Sequence, residues 1–401
     1  MSTVSSLKQP LTLPCGAVLK NRIAKSAMSE NMASSDNSPN EALIQLYKRW
    51  VNGGAGLIIT GNMMIDSSAL GEPANVVVED ERNIYLLKKW ADVANNTGTH
   101  LWPQLNHPGR QAPGNLNKEI VGPSAIGLQN NKFMFKTPRA LKEQEILNII
   151  EKFGNAALVC KKAGFTGVQI HGAHGYLVSQ FLSPIANQRK DDWGGSLENR
   201  AKFVTAVYEN IRAKVGNDFP VGIKINSADF QRGGFTEEES MEVVRTLSAL
   251  GMDLVEISGG SYESPAMMGA KQSTREREAY FMEYIEKVRK IIKQPLMLTG
   301  GFRTVELMNN AIADGHLDVV GLARPFSMYP EIANEILNEK VSKINVPNPR
   351  TGIKMIDKMG FVDILWHELQ MERIGKQKEP DPSIKAIAAI GRMVKQNVFR
   401  R

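Results

Sequence analysis

Phe165-Thr-Gly-Val-Gln-Ile-His-Gly-Ala-His-Gly-Tyr-Leu177 reads as a strand running into a polar, glycine-bearing loop. The loop continues through Asp191-Asp-Trp-Gly-Gly-Ser-Leu-Glu-Asn-Arg200 into a helix. Residues 167–170 are a short apolar run of buried-strand type. At its carboxyl end His171, His174 and Tyr176 arrive within six residues, flanked by Gly172 and Gly175. One histidine in such a turn is an ordinary satisfied polar group. Two imidazoles and a phenol together are a candidate site, because these side chains donate hydrogen bonds and move protons near neutral pH.

Outward from that stretch, apolar runs at 23–29, 56–60, 100–105, 167–170, 221–225, 254–257, 296–299 and 319–322 alternate with amphipathic segments. The helical segments are 41–52, 81–95, 145–163, 197–215, 236–250, 277–292, 304–313 and 330–338. Eight strands alternating with eight helices predict an α/β fold of the (β/α)8 TIM barrel type, with a doubly wound open sheet as the alternative. Local signals agree: Gly164 and Gly251 end helices, and Thr236 with Glu239 forms a capping box. Residues 1–340 read as the barrel. Within it, 108–141, rich in Asn, Gly and Pro, reads as a flap inserted after the third strand. Residues 341–401 read as a helical tail, packed on the barrel or placed at a subunit contact of a homo-oligomer.

A barrel builds its site from the loops after its strands. The polar residues fall there: Ser29 after the first strand, Asn62 after the second, Gln104 and His107 at the third, the His171 cluster at the fourth, Lys224 and Asn226 at the fifth. Tyr262, after the sixth, is a further pocket candidate. Strands seven and eight run into Thr299-Gly300-Gly301-Phe302-Arg303 and Gly321-Leu322-Ala323-Arg324. Small residues that let backbone N–H groups approach, beside an arginine, suit a phosphate group.

With 401 residues and 42% hydrophobic content, the chain can bury a large core. Its net charge of +7 is scattered through the helices, a weak case for nucleic acid. Cys15 and Cys160 lie far apart and make neither a disulfide framework nor a CxxC metal motif. No run approaches the roughly 18 apolar residues of a membrane helix, so a soluble, cytoplasmic protein is expected.

These residues resemble the old yellow enzyme family of FMN-dependent NAD(P)H oxidoreductases and ene-reductases. The resemblance rests on 19–23 (Leu-Lys-Asn-Arg-Ile), 104–110 (Gln-Leu-Asn-His-Pro-Gly-Arg), 167–176, 182–184, 193–200 and 321–324. It implies FMN at the barrel mouth, with the phosphate near Gly300, Gly301, Ala323 and Arg324. Gln104 would bond the pyrimidine edge, and Ala27, Met28 and Asn62 would line the ring. Ser29 stands where relatives carry a Thr or Cys near flavin O4, and Lys224 where the best-known relatives carry an Arg. A cation there stabilises the charge that reduction places at flavin N1, and lysine supplies it without a planar fork. The implied reaction uses NADPH or NADH as reductant and an α,β-unsaturated carbonyl compound as substrate. The substrate oxygen would sit between His171 and His174, with Tyr176 as proton donor.

Two other chemistries compete. His107, His171 and His174 could form a metal site for hydrolysis. That leaves Gln104, Lys224 and the phosphate loops without a purpose. An FMN barrel acting on RNA would need a catalytic cysteine near the flavin and a basic extension, and neither is apparent. A non-catalytic flavin-binding or partner-binding scaffold would have no use for the intact His171, His174 and Tyr176 set.

Overall fold

The computed structural model describes residues 5–128, 135–259, 281–358 and 361–399. Eight parallel strands close into a barrel: β1 (Ile23–Lys25), β2 (Leu57–Met64), β3 (His100–Asn106), β4 (Val168–Gly172), β5 (Val221–Asn226), β6 (Leu254–Ser258), β7 (Leu296–Thr299) and β8 (Val319–Leu322). Closure is made by β8 on β1, where Val320 pairs with Ile23 and Leu322 with Lys25. The strands are nearly all buried on both faces, as parallel strands covered by helices must be.

Around them lie α1 (Glu41–Asn52), α2 (Ile84–Ala91), α3 (Glu143–Ala163), α4 (Leu197–Val215), α5 (Glu237–Ala249), α6 (Met282–Arg289), α7 (Val305–Ala313) and α8 (Ile332–Leu337). Their ends follow local chemistry. Asn40 caps α1 by accepting from the Leu43 N–H, Thr236 and Glu239 form the capping box of α5, and Gly164 ends α3 at φ +94°. On α1 the buried stripe is Leu43, Leu46, Tyr47, Trp50 and Val51. Each full burial of a large apolar side chain contributes roughly 1.5–3 kcal/mol.

The barrel interior is filled, not hollow. Trp102 on β3 is fully buried there with Ala24, Leu57, Ile59, Leu254, Met297 and Val319. The neighbouring strands make room for it: a Cβ at Gly167 would fall 2.4 Å from Trp102 Nε1, and one at Gly222 3.0 Å from its Cζ3.

Three boundaries that bear on the site differ from the sequence reading, each for a local reason. β1 ends at Lys25, because after the Ser26 N–H bonds the Leu322 carbonyl the chain turns out through a loop in which Asn31 sits at φ +50°. β2 runs on to Met64 through a register shift between Ile59 and Asn62, so Asn62 lies in the strand. β4 extends through His171 to Gly172, so the first histidine is itself a strand residue.

The insertion after β3 carries a two-residue ladder, Val121–Gly122 beside Arg139–Ala140. In the tail, α9 (Phe361–Gly375) and α10 (Ala386–Phe399) pack on each other and on the barrel. Met371 and Ile374 join the main core, Trp366 packs with Met328, Val362, Leu365, Ala386 and Ala389, and Arg392 clamps Glu368 at 2.7 Å. No helix among the described residues is long and apolar enough to cross a membrane.

Candidate active site at the carboxyl ends of the strands

A cavity of about 190 Å³ opens at the carboxyl ends of the strands. Ala27, Met28, Ser29, Asn62, Gln104, His171, His174, Tyr176, Lys224 and Arg324 all line it. Gly300, Gly301 and Ala323 stand on the adjoining loops after β7 and β8. Tyr262 lies outside the described residues.

Strand register sets the floor. Gln104 on β3 pairs with Gln169 on β4, His171 with Lys224 on β5, and Lys224 with Glu256 on β6. Residues two apart share a strand face, so Gln169 and His171 point the same way. Gln104 Nε2 donates to Gln169 Oε1 at 2.7 Å, and Lys224 Nζ lies 3.0 Å from Glu256 Oε1.

Above that floor, the His171 ring meets the His174 ring edge-on at 5.2 Å and Tyr176 at 4.8 Å. His171 Nδ1 accepts the Ala173 N–H at 3.3 Å, which leaves the proton of the neutral ring on Nε2. His174 takes φ +61°, uncommon for a residue with a side chain, and its N–H donates to Asn226 Oδ1 at 3.2 Å. Its Nε2 lies 2.9 Å from Ser258 Oγ, a hydroxyl able to donate to this nitrogen or accept from it. Burial, His174 and Lys224 hold the His171 pKa well below the ordinary value. Burial and Lys224 do the same for His174. Both rings are therefore neutral at physiological pH.

His107 does not join them. Its ring turns to its own loop, with Nδ1 accepting the Gly109 N–H at 3.1 Å, and burial brings its pKa down to about 4. Among the described residues no group of three or more His, Cys, Asp and Glu side chains could hold a metal ion. The three-histidine metal centre does not assemble.

These depressed histidines have a pH signature. An unfolded histidine titrates near about pH 6.5, so the unfolded chain takes up protons that the folded chain refuses. The stability concerned is complete above that value and is lost as pH falls towards about 4, the value for His107. Tm should drop over this window, and His107→Gln should make the drop shallower. An identical pH profile for that variant would contradict the assignment.

Several lining residues were not foreseen. Asp363, Ile364, His367 and Met371 come from α9, and Glu72 from the loop after β2. Ser29 Oγ donates to Glu72, whose carboxyl is pushed up by burial, and Asn75 Nδ2 donates to the same carboxylate at 3.2 Å. The Glu368 carboxyl, on α9, is pushed to about 8 by burial and by Glu72. None of the described residues of 108–141, the expected flap, lines the cavity, whereas the tail contributes Asp363, Ile364, His367 and Met371.

At the far end, Arg324 Nη1 pairs with Asp363 Oδ2 at 3.1 Å. His367 Nδ1 lies 2.6 Å from Ser327 Oγ, which donates to the Arg324 carbonyl at 2.9 Å. His367 Nε2 faces Asp363 Oδ1 at 3.6 Å, beyond hydrogen-bond reach, and both atoms are buried without a hydrogen-bond partner among the described residues. Beside them Gly300 and Gly301 take φ +140° and +83°, and a Cβ at Gly321 would fall 1.9 Å from Thr299 Oγ1. A glycine cradle and an arginine at one end, with an amide and a lysine on the floor, suit a flat heteroaromatic ring carrying a phosphate tail.

The model of the NADH:flavin oxidoreductase / NADH oxidase family matches residues 6–343. An NADH-dependent flavin oxidoreductase of Hypocrea jecorina is 36% identical over 357 residues, 82% of this chain and 88% of that protein. A cinnamate reductase of Clostridium sporogenes is 31% identical over 81% of this chain, which spans 52% of its length. The old yellow enzyme homologue from Zymomonas mobilis superimposes with a TM-score of 0.71 at 25% identity, covering 85% of this chain and 95% of that one. The barrel, the cavity at its mouth and these likenesses lead to one conclusion: the chain belongs to the NADH:flavin oxidoreductase / NADH oxidase family, the old yellow enzyme group, and is an FMN-dependent oxidoreductase with a nicotinamide nucleotide as reductant.

Proposed function

We propose that this protein reduces the C=C bond of α,β-unsaturated carbonyl compounds. The observation that carries the reading is the pair of neutral imidazoles, His171 and His174, edge to edge beside the buried phenol of Tyr176. The cinnamate reductase supports it, since cinnamate is an unsaturated carboxylate.

Gln104 and Lys224 would hold FMN at its ring, and Gly300, Gly301, Ala323 and Arg324 at its phosphate; bound there it would supply hydride chemistry between the nicotinamide and the substrate. Ala27 and Met28 would give the ring apolar contact, and Asn62 a polar one. Arg324 meets Asp363 through Nη1, and its remaining N–H donors are those it would offer the phosphate. The remaining work belongs to the side chains around the substrate. The His171 Nε2–H donates to the carbonyl oxygen, with His174 as its second ligand, so electron density leaves the alkene and the β-carbon becomes electrophilic. Neutral imidazoles do this without adding two buried charges near Lys224. Tyr176 then delivers a proton to the α-carbon, within the ordinary range of general-acid catalysis. Hydride at one carbon and proton at its neighbour complete the reduction.

Isotope labelling tests it. With 2-cyclohexenone and NADH deuterated at the transferred position, the product should be cyclohexanone with deuterium on the β-carbon. In D2O with unlabelled NADH the deuterium should appear on the α-carbon. NADH consumption without cyclohexanone would overturn the proposal.

A further inference from the structure

A carboxylate that this reaction does not use lies inside the barrel. Glu256, in the middle of β6, has no exposed surface. Its Oε1 receives Lys224 Nζ at 3.0 Å and Ser26 Oγ at 2.5 Å, and its Oε2 receives Gln169 Nε2 at 2.7 Å. Ser26 Oγ in turn accepts from Lys224 Nζ at 3.0 Å. Burial alone would raise this carboxyl, but Lys224 and hydrogen bonds from Ser26 and Gln169 hold it below the usual carboxylate value. Glu256 is therefore ionised and can only accept.

That acceptor-only character passes along the floor. Gln169 must turn its NH2 to Glu256, so its Oε1 faces Gln104, and Gln104 must spend one N–H there, at 2.7 Å. Gln104 then keeps one N–H and its Oε1 for the cavity that it lines. A donor beside an acceptor is the complement of the carbonyl and ring N–H on a flavin's pyrimidine edge. The same carboxylate changes what Lys224 offers. A lone ammonium would act on the cavity as a full charge, whereas one 3.0 Å from a carboxylate acts as a dipole whose field falls off faster.

We propose that Glu256 is a positioning residue for the cofactor: it fixes the donor–acceptor polarity of Gln104 and attenuates the positive field that Lys224 exerts on the flavin. The inference rests on the reading above that Gln104 and Lys224 face FMN.

Sulfite reports that field. Its lone pair forms a bond to N5 of oxidised flavin and the negative charge moves towards N1, so a stronger cation tightens the adduct. On the FMN-loaded protein, titration of the visible bands should show sulfite binding about tenfold tighter in Glu256→Gln, equal to about 30 mV for a two-electron couple. Lys224→Met should bind it about tenfold more weakly, as expected when a charge-stabilising partner is removed. If Lys224→Met weakens sulfite but Glu256→Gln matches the parent, the role of Glu256 is overturned while Lys224 keeps its place. If neither variant shifts sulfite affinity, Lys224 does not face the flavin and the underlying reading falls too. Should Glu256→Gln fail to fold, Gln169→Met leaves the ion pair intact and cuts only the amide relay. FMN dissociation should then rise about tenfold, the worth of one buried hydrogen bond with its unsatisfied partner, with sulfite affinity little changed. Parental FMN affinity in that variant would overturn the positioning role.

Discussion

Tyr176→Phe should slow reoxidation of the reduced enzyme by 2-cyclohexenone by about a hundredfold to ten-thousandfold, the usual worth of a positioned general acid. Reduction by NADH should stay close to the parental rate, because hydride transfer to the flavin takes no proton from the phenol. The substitution is mild structurally. Tyr176 is nearly buried and packs edge-on against His171, and a phenylalanine keeps that ring contact. Stopped-flow absorbance separates the two half-reactions. Equal losses in both would show that the phenol organises the site and is not the proton donor.

His171→Ala should weaken binding of a phenol inhibitor by about tenfold to a hundredfold, since a buried donor is worth about 1.5–3 kcal/mol to a charged acceptor. A phenolate oxygen mimics the enone oxygen, and the charge-transfer band of the complex gives the dissociation constant directly. His174→Ala should behave similarly, but less severely, because Ser258 already engages its Nε2 at 2.9 Å. Both imidazoles are held neutral by burial. Enone affinity in the parent should therefore show no histidine-like titration around about pH 6.5. Parental phenol affinity in both variants would remove the two rings from the substrate site.

The barrel was legible because its determinants are local. Short continuous apolar runs, helical stripes, the Thr236–Glu239 box and the stop at Gly164 each show within a short window, and all agreed. The strand-end residues were legible for a related reason: once eight strands are counted, topology says which ends converge. The tail's share of the site was not. The spacing of 361–369 shows that a face of this helix is buried, but periodicity cannot say what lies beneath it, and Asp363, Ile364, His367 and Met371 turned out to face the cavity. Glu72 was hidden because an acid in a Gly- and Pro-bearing loop reads as surface.

Two signals were available and passed over. Glu256 interrupts an otherwise apolar strand, and a charge in a strand buried on both faces needs a partner; Lys224 supplies it at 3.0 Å. Lys25 ends β1 with no exposed surface. Its ammonium donates to the Ile59 carbonyl at 2.9 Å, lies 4.3 Å from the Trp50 ring centre, and has its pKa brought down to about 8 by burial.

The most direct measurement is anaerobic. NADH should bleach the visible flavin bands of the purified protein, and 2-cyclohexenone, added without oxygen, should restore them in one turnover with an equivalent of cyclohexanone formed. Bands that stay bleached with the enone and return only on admitting oxygen would contradict the account, leaving an FMN-dependent NADH oxidoreductase that is not an ene-reductase.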